Sequence, residues 1–198
     1  MSRFPVACLI LAAGAATRMG KLKQLLPFRG KPLVRHVIER AHAAGFKPIV
    51  VVVGAEADAV RAAIATEPVE IVENRRWARG MGSSIAAGMR ELQAEQSEAA
   101  AVAILLADQP LVTAEGLSAM REALIQGAAE IVAAEYEGVV GVPALFRRLL
   151  FRRLAMLPAE AGARQLVRSP GLQVLPFPMP EAGVDVDTPE DYAGLDPE

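Results

Sequence analysis

Short, almost wholly apolar segments alternate along the chain with longer segments in which apolar residues recur at the helical period. The short segments have the length of strands, and they lie at residues 6–11, 48–53, 69–72, 101–106 and 131–134. Continuous apolar runs of this length are typical of strands that are buried on both faces of a parallel sheet. The pattern therefore predicts a sheet that is enclosed between helices.

The segments with helical periodicity lie between these strands, at residues 32–44, 57–65, 82–92 and 113–126. Their boundaries carry local signals, because Pro32 suits the first turn of a helix, Gly45 suits a stop and Thr113 suits an N-cap. A further helix is predicted around residues 146–157, and a short one is predicted after Thr188.

Alternating strands and helices predict the α/β class, with a single domain at residues 1–198. The expected architecture is a Rossmann-like, mostly parallel sheet that carries helices on both faces. In such sheets, ligands bind at the carboxyl ends of the strands, near the point where the strand order reverses. Functional residues are therefore expected in the loops that directly follow strands.

Composition argues against several classes of function. The 198 residues are 53% hydrophobic and 22% charged, and the net charge of -2 gives no general attraction to nucleic acid or anionic membranes. Cys8 is the only cysteine, and His36 and His42 are the only histidines, so neither an intrachain disulfide nor a zinc cluster can form. The apolar run at residues 6–13 is too short to span a bilayer. We expect a cytoplasmic protein without nucleic-acid or membrane partners.

The loop after the first strand, at residues 11–23, is the most informative segment. Its small residues let the backbone approach a ligand closely, and successive N–H groups in such a turn bind phosphate oxygens. Arg18 and Lys23 add positive charge that suits a triphosphate. The spacing is neither that of a P-loop nor that of a GxGxxG dinucleotide fold. A small-residue turn followed by solvated basic residues is the alternative interpretation.

A second candidate segment follows the third predicted strand and contains Gly80, Gly82, Ser83 and Ser84. The glycines permit a close approach to a ligand, and either serine suits the N-cap of the helix that follows. The cap alone is the alternative interpretation of this segment. Trp77 precedes it, but a lone tryptophan more often packs or anchors a loop than stacks on a base.

Carboxylates mark two further positions. Asp108 directly follows a buried apolar run, where packing explains a carboxylate poorly, although an aspartate also suits the start of a turn. Asp185 and Asp187 alternate along an extended stretch and therefore point to the same side of the chain. Mg²⁺ prefers such oxygen ligands together with phosphate oxygens. Thr188, by contrast, is expected to cap the last helix, which has acids in its first turn.

Taken together, these motifs resemble the MobA-like NTP transferase family and, within it, the molybdenum cofactor cytidylyltransferase branch. The matching segments are Leu-Ala-Ala-Gly at 11–14, Arg-Met-Gly at 18–20, Gly-Met-Gly-Ser-Ser at 80–84, Asp-Gln-Pro at 108–110 and Asp-Val-Asp-Thr-Pro-Glu-Asp at 185–191. The resemblance implies a fold of the nucleotide-diphospho-sugar transferase type. It also implies transfer of a nucleoside monophosphate from an NTP to a phosphorylated acceptor, with release of pyrophosphate.

The resemblance assigns roles to the candidate residues. The implied nucleotide-binding residues are Leu11, Ala12, Ala13, Gly14, Arg18, Lys23, Asn74, Gly80, Gly82, Ser83 and Ser84. The implied catalytic residues are Arg18, Lys23 and Asp108, and the two cations would stabilise the departing pyrophosphate. Asp108 and Asp187 would hold Mg²⁺, with Asp185 as the alternative second ligand.

The resemblance also indicates both substrates. Ala13 stands where guanylyl-transferring relatives usually have glycine, which favours CTP over GTP. The implied acceptor is molybdenum-bound molybdopterin, and the implied protein partner is a molybdoenzyme that receives the finished cofactor. Residues 158–161 depart from the family pattern near the expected acceptor site. Two alternatives therefore stay open: a transferase of the same fold for a sugar or polyol phosphate, and a non-catalytic protein that binds and delivers a nucleotide or cofactor.

Overall fold

A seven-stranded sheet forms the centre of the structure, a computed structural model that describes residues 4–15, 22–94 and 98–195. The strands in these ranges are β1 Val6–Ala12, β2 Pro27–Phe28, β3 Lys31–Pro32, β4 Ile49–Val53, β5 Glu70–Glu73, β6 Ala101–Leu106, β7 Ile131–Tyr136, β8 Val139–Arg147 and β9 Val174–Pro178. The α-helices there are α1 Leu33–Ala43, α2 Ala57–Ala63, α3 Met81–Ala94, α4 Ala114–Gln126, α5 Phe151–Ala155, α6 Arg164–Val167 and α7 Pro189–Gly194. None of these helices is long and apolar enough to cross a membrane.

The order of the strands across the sheet is β5-β4-β1-β6-β8-β7-β9, while β2 and β3 form a separate ribbon. Parallel pairing joins β5, β4, β1 and β6, whereas β8 runs antiparallel to both of its neighbours and β9 is parallel to β7. The predicted α/β fold with a mostly parallel sheet is confirmed. From β1 the chain builds outward through β4 and β5 and then returns to β6, so the strand order reverses between β1 and β6. Sheets of this kind bind ligands at that point.

Helices cover both faces of the sheet, as the apolar pattern requires. Side chains of β1 alternate between the faces, so Cys8 and Ile10 pack with α1, α2 and α4, whereas Leu9 and Leu11 pack with α3. Every residue of β1 is buried, and a buried Leu or Ile side chain contributes about 1.5–3 kcal/mol. This burial holds β1 at the centre of the sheet and thereby positions the loop that follows it.

The helix ends confirm most of the local signals. Thr113 Oγ1 accepts a hydrogen bond of 3.1 Å from a backbone N–H in the first turn of α4. Gly45, just beyond α1, has a φ of +78°, which suits a residue without a Cβ atom. Thr188 caps α7 in a capping box with Asp191. Pro32 differs from the prediction, because it precedes α1 and does not lie in the first turn.

The helix predicted around residues 146–157 is wrong in its first part. β8 continues to Arg147, and α5 begins only at Phe151. When an apolar run is buried on both faces, its hydrophobic pattern does not distinguish a strand from a helix. Here the segment pairs with β6 and β7 and is therefore a strand. β9, which the pattern does not predict, contains Pro176 and Pro178, and prolines are tolerated there because β9 is an edge strand.

Candidate active site

A cleft of about 320 Å³ opens at the carboxyl ends of β1 and β6, where the strand order reverses. Its lining residues are Leu11, Ala12, Ala13, Gly14, Ala15, Lys23, Gln24, Trp77, Gly80, Met81, Ser84, Leu106, Ala107 and Asp108. Most of the predicted site residues are among them, whereas Asn74, Gly82, Ser83, Asp185 and Asp187 are not. The predicted phosphate-binding residue Arg18 lies outside the described residues.

The loop after β1 is held in place by a residue that the sequence analysis missed. Gln24 is only 5% exposed, and its amide nitrogen donates to the carbonyl oxygens of Ala12 at 3.2 Å and Gly14 at 3.3 Å. The N–H of Ala55 donates to the carbonyl oxygen of Ala13 at 3.2 Å. The loop therefore presents a fixed surface to the cleft. We call residues 12–14 and Gln24 together the loop wall. A glutamine beside a lysine gives no sequence signal of burial.

Lys23 links this loop to the carboxylates. Its ammonium group donates a hydrogen bond to Oδ1 of Asp187 and lies 3.8 Å from Oδ2 of Asp108. The side chains of Lys23 and Asp108 are 18% and 27% exposed, so water and salt screen their contact less than they screen a surface pair. The structure thus brings together three residues that the sequence analysis placed in one site, although Asp187 follows Lys23 by 164 positions.

Asn74 holds together the segment between β5 and α3. Its amide nitrogen donates to the hydroxyl oxygens of Ser83 at 2.8 Å and Ser84 at 3.0 Å, and the Ser83 hydroxyl donates to the carbonyl oxygen of Gly80 at 2.7 Å. The prediction that one of these serines is the N-cap of α3 is wrong, because the helix begins at Met81 and both lie in its first turn. Asn74 and Ser83 therefore support the cleft from behind, whereas Ser84 reaches its surface.

The two glycines of this segment approach the protein's own backbone, which differs from the predicted approach to a ligand. A Cβ atom at Gly82 would lie 2.0 Å from the carbonyl oxygen of Pro158, and one at Gly80 would lie 2.6 Å from that of Ala159. Gly80 also has a φ of +120°, which L side chains rarely adopt. The loop at residues 158–161 thus packs directly onto the start of α3.

Trp77 is half-buried, and it both packs against the core and lines the cleft. A Cβ atom at Gly54 would lie 2.6 Å from the Cβ of Trp77 and 2.9 Å from the Cβ of Ala13. The packing role that the sequence analysis preferred is therefore present, and it places the indole beside the loop wall.

Asp185 and Asp187 reach Asp108 on the segment between β9 and α7. Val186 is fully buried between them, and its N–H donates to the carbonyl oxygen of Asp108 at 3.1 Å. Burial of Val186 sends its two acidic neighbours to the opposite side, as the alternation predicts. We call these three carboxylates the acidic rim of the cleft.

Gln109, a second residue that the sequence analysis did not single out, ties this segment to the end of β6. It is 1% exposed, and its amide nitrogen donates to the carbonyl oxygens of Ala182 at 2.8 Å and Val142 at 3.4 Å. The side-chain oxygen Oε1 of Gln109 and Oδ1 of Asp185 are buried without a hydrogen-bond partner among the described residues. Buried acceptors without a donor are costly, so these oxygens favour a nearby cation or proton donor.

Burial makes two carboxylates of the acidic rim, Asp108 and Asp185, hard to ionise. Burial and the negative charge of Asp185 raise the pKa of Asp108 to about 6, although the charge of Lys23 acts in the opposite direction. Burial also raises the pKa of Asp185, against the effects of the Gln109 amide and the charge of Arg164. Lys23 therefore offsets only part of the charge of the rim, and a further cation would stabilise the ionised carboxylates.

The donors of the rim fit a hard divalent cation. Within the described parts of the chain, no three Asp, Glu, His or Cys side chains form a complete metal site. Mg²⁺, however, is usually held by one or two carboxylates together with substrate phosphate oxygens. Asp108 and Asp187 both lie close to the Lys23 ammonium group, and Oδ1 of Asp185 is buried without a partner among the described residues. The rim thus fits a metal ion that is also bound by a nucleotide.

The fold and the cleft define a class of protein. A small-residue loop, a lysine and carboxylates at the reversal point of a parallel sheet are the features of an α/β nucleotidyltransferase. The chain belongs to the MobA-like NTP transferase domain family, which it matches over residues 8–174. The resemblance drawn from the sequence motifs is confirmed at the level of the family.

Two curated relatives match parts of the chain. Nicotine blue oxidoreductase from Paenarthrobacter nicotinovorans is 41% identical over 102 residues, which are 51% of this chain and 48% of the relative. The bifunctional protein GlmU from Halorhodospira halophila is 41% identical over 117 residues, 58% of this chain and 24% of the relative. The chain therefore spans half or less of the length of these relatives, and one of them is named for a different type of reaction.

Solved structures match nearly the whole chain. Rv0371c from Mycobacterium tuberculosis H37Rv has a TM-score of 0.81 and 33% identity, with 98% of both chains covered. The same protein in complex with manganese has a TM-score of 0.76 and 31% identity, with 96% of this chain and 97% of that chain covered.

Proposed function

We propose that the protein is a Mg²⁺-dependent nucleotidyltransferase that moves CMP from CTP to the terminal phosphate of molybdenum-bound molybdopterin. The products are molybdopterin cytosine dinucleotide and pyrophosphate. The observation that carries the proposal is the Lys23 ammonium group, which is bonded to Asp187 and lies 3.8 Å from Asp108 beside the cleft. Transfer at a phosphorus atom needs such a cation and metal-binding carboxylates within one site.

In this proposal the nucleotide occupies the cleft. The backbone of residues 11–14 holds the base and ribose. Its residues have small side chains, which let a ligand approach the backbone, and internal hydrogen bonds to its carbonyl groups keep the loop in place. Lys23 and Arg18 bind the triphosphate. The other proposed nucleotide-site residues are Gly80 and Ser84 on the cleft surface and Asn74, Gly82 and Ser83 behind it.

Ala13 supports CTP over GTP as the donor. Its side chain is 6% exposed and lines the cleft beside Trp77. A methyl group at this point leaves less room than the glycine of guanylyl-transferring relatives, which suits a pyrimidine better than a purine.

The proposed reaction is an in-line displacement. An oxygen of the acceptor's terminal phosphate forms a bond to the α-phosphorus of CTP, the bond from that phosphorus to the bridging oxygen of the β-phosphate breaks, and pyrophosphate leaves with the electron pair. A phosphate monoester has a second pKa of about 6, so the nucleophile is ionised near neutral pH and needs no general base. His36, which contacts the carbonyl oxygen of Phe28 through Nε2 at 2.6 Å, packs in α1 and serves the fold.

The charged residues divide the work between them. Asp108 and Asp187 would hold Mg²⁺, with Asp185 as a further donor, and the bound ion supplies Lewis acidity at the α-phosphate and orients the acceptor. Lys23 and Arg18 stabilise the negative charge that develops on pyrophosphate. The manganese complex of the relative Rv0371c supports a divalent metal in this family.

The proposal extends to the setting of the reaction. Residues 1–198 act as a single domain in the cytoplasm, and a molybdoenzyme takes up the finished cofactor. The match to the MobA-like family supports this setting.

Pyrophosphate release tests the reaction. The purified protein is incubated with Mg²⁺, molybdenum-loaded molybdopterin and each of CTP, GTP, ATP and UTP, and controls omit the acceptor or add EDTA. The proposal predicts release with CTP that requires both the acceptor and the metal.

The other outcomes lead to the alternatives. Release with a sugar or polyol phosphate in place of molybdopterin would keep the transferase and replace the acceptor. Binding of CTP without turnover on any acceptor would indicate a nucleotide-binding delivery protein. Absence of nucleotide binding would contradict the proposal altogether.

A further inference from the structure

Two hydrogen-bond donors converge on one point of β8. A Cβ atom at Gly141 would lie 3.0 Å from the hydroxyl oxygen of Tyr136, 3.3 Å from Nη2 of Arg164 and 3.5 Å from Nε of Arg164. A side chain at this position would crowd both groups, whereas glycine leaves them free to approach the backbone. The phenol at the end of β7 and the guanidinium group at the start of α6 therefore both lie next to Gly141.

The hydrogen-bond donors of both groups are open in the part of the chain that the structure describes. Among the described residues, the Arg164 guanidinium group makes no ion pair or hydrogen bond, and the Tyr136 hydroxyl makes no hydrogen bond. Other arginines of this region serve the fold, since Arg147 donates to the carbonyl oxygens of Ala129, Leu124 and Gly127. Arg164 is thus an exposed cation, without an ion-pair partner in residues 4–15, 22–94 and 98–195, that a glycine allows close to the backbone.

This donor pair lies across the acidic rim from the nucleotide cleft. The sheet order β1-β6-β8-β7 puts the loop after β1 on one side of Asp108 and Tyr136 on the other side. Gln109, which follows Asp108, reaches the carbonyl oxygen of Val142 next to Gly141. The charge of Arg164 also acts on Asp185. The rim therefore lies between the nucleotide cleft and the donor pair.

We propose that Arg164 and Tyr136 form the subsite that holds the phosphate monoester of the acceptor. This inference rests on the proposed function, because an in-line displacement requires the attacking phosphate to enter opposite the departing pyrophosphate. A guanidinium group binds phosphate through two parallel N–H donors, and a phenol adds a third donor. The subsite thus recognises a phosphate dianion and not the remainder of the acceptor.

Binding of phenyl phosphate tests the subsite without turnover. The protein is first saturated with Mg²⁺ and a CTP analogue that has a methylene group between the α- and β-phosphorus atoms, so that the probe cannot occupy the nucleotide cleft. Phenyl phosphate is then titrated and followed by ³¹P NMR. Arg164→Gln should weaken its binding about tenfold or more, as expected for loss of a charged hydrogen-bond donor, and Tyr136→Phe should weaken it by a smaller factor.

Two further variants separate this role from a general effect of charge. Arg168→Gln removes an equally exposed arginine four positions further along, and it should leave binding unchanged. Arg164→Lys keeps the charge but loses the paired donors, and it should fall between the wild type and Arg164→Gln.

The outcomes are distinct. If wild-type protein does not bind the CTP analogue, the proposed function fails. If the analogue binds but phenyl phosphate does not, or if Arg164→Gln and Arg168→Gln behave alike, the subsite is wrong and the nucleotide site stands. Loss of binding that is specific to Arg164→Gln, with the melting temperature unchanged, supports the subsite.

Discussion

The two sides of the cleft are built in opposite ways. On the loop wall, the carbonyl groups of residues 12–14 all accept hydrogen bonds from within the protein. On the acidic rim, Asp108 has a raised pKa, and Oδ1 of Asp185 has no partner among the described residues. The loop wall is complete by itself, whereas the rim carries negative charge that Lys23 only partly offsets.

This difference separates recognition from catalysis. A base and a ribose are recognised by shape and by groups that stay in place, whereas group transfer depends on charges that interact most strongly with the transition state. Charges held without full compensation lower the stability of the protein. Substitutions in the rim should therefore abolish turnover without harming the fold, whereas substitutions on the opposite side should lower nucleotide affinity or the stability of the fold.

The largest expected effect is on turnover. Asp108→Ala removes a carboxylate of the proposed metal site, and it should lower kcat by about a hundredfold or more. The protein should stay folded, because the change removes a charge that burial disfavours. Pyrophosphate release and circular dichroism measure the two properties, and Asp58→Ala, at an exposed carboxylate of α2, is the matched control. Wild-type turnover in Asp108→Ala would refute the metal assignment.

A smaller effect is expected when a glycine behind the cleft gains a methyl group. Gly82→Ala places a Cβ atom 2.0 Å from the carbonyl oxygen of Pro158, and it should lower the free energy of unfolding by about 3 kcal/mol. Gly14→Ala is the matched control, since a Cβ atom there has nothing within 4 Å and should be neutral or slightly stabilising. Urea denaturation measures both. Equal stability of the two variants would show that the contact with Pro158 does not restrict the site.

The sequence predicts the site residues that directly follow apolar runs better than it predicts the residues that support the site from behind. The strand β6 and the carboxylate that follows it could both be predicted, because a charged residue directly after six apolar ones is conspicuous. The same reasoning identified the loop after β1. Lys23 and Asp187 were singled out from their charge and position, the resemblance to a family assigned their roles, and only the structure shows that they are in contact.

The residues that were missed depend on partners far along the chain. Gln109 bonds to Ala182, 73 positions away, so nothing near it in sequence indicates its burial. The need for glycine at position 82 also arises far along the chain, because the loop at residues 158–161 packs against this position. The strand β8 was missed because it runs antiparallel within a mostly parallel sheet and has no helix between it and β7. Contacts between distant segments, and not local pattern, decide these features.

The rim should also reveal itself in the pH dependence of stability. The folded protein holds a proton on Asp108 up to a pKa of about 6, above the ordinary value of 3.8. The contribution of Asp108 to the free energy of unfolding should therefore fall as the pH rises from about 3.8 to about 6, and then level off. Asp108→Asn, which is uncharged at every pH, should be more stable than the wild type by about 3 kcal/mol at pH 7.5.

Urea denaturation in EDTA at pH 7.5 and pH 4.5 measures this difference, which should shrink at the lower pH. Asp58→Asn, at an exposed position, should show no such gain. A constant advantage of Asp108→Asn at both pH values would mean that its cause is packing and not ionisation.

The smallest expected effects separate the two sides most directly, because a buried glutamine lies behind each of them. Gln24→Ala removes hydrogen bonds of 3.2 Å and 3.3 Å to loop carbonyl groups, and it should raise the KM for CTP roughly fivefold while kcat stays unchanged.

Gln109→Ala releases the segment that carries the rim, and it should raise by a similar factor the Mg²⁺ concentration that gives half the maximal rate. Gln165→Ala, at an exposed position of α6, is the control. Because each loss is worth only about 1 kcal/mol, rates must be measured against CTP and Mg²⁺ separately. If both variants change the same parameter, the loop wall and the acidic rim are not independent, and recognition and catalysis share one set of contacts.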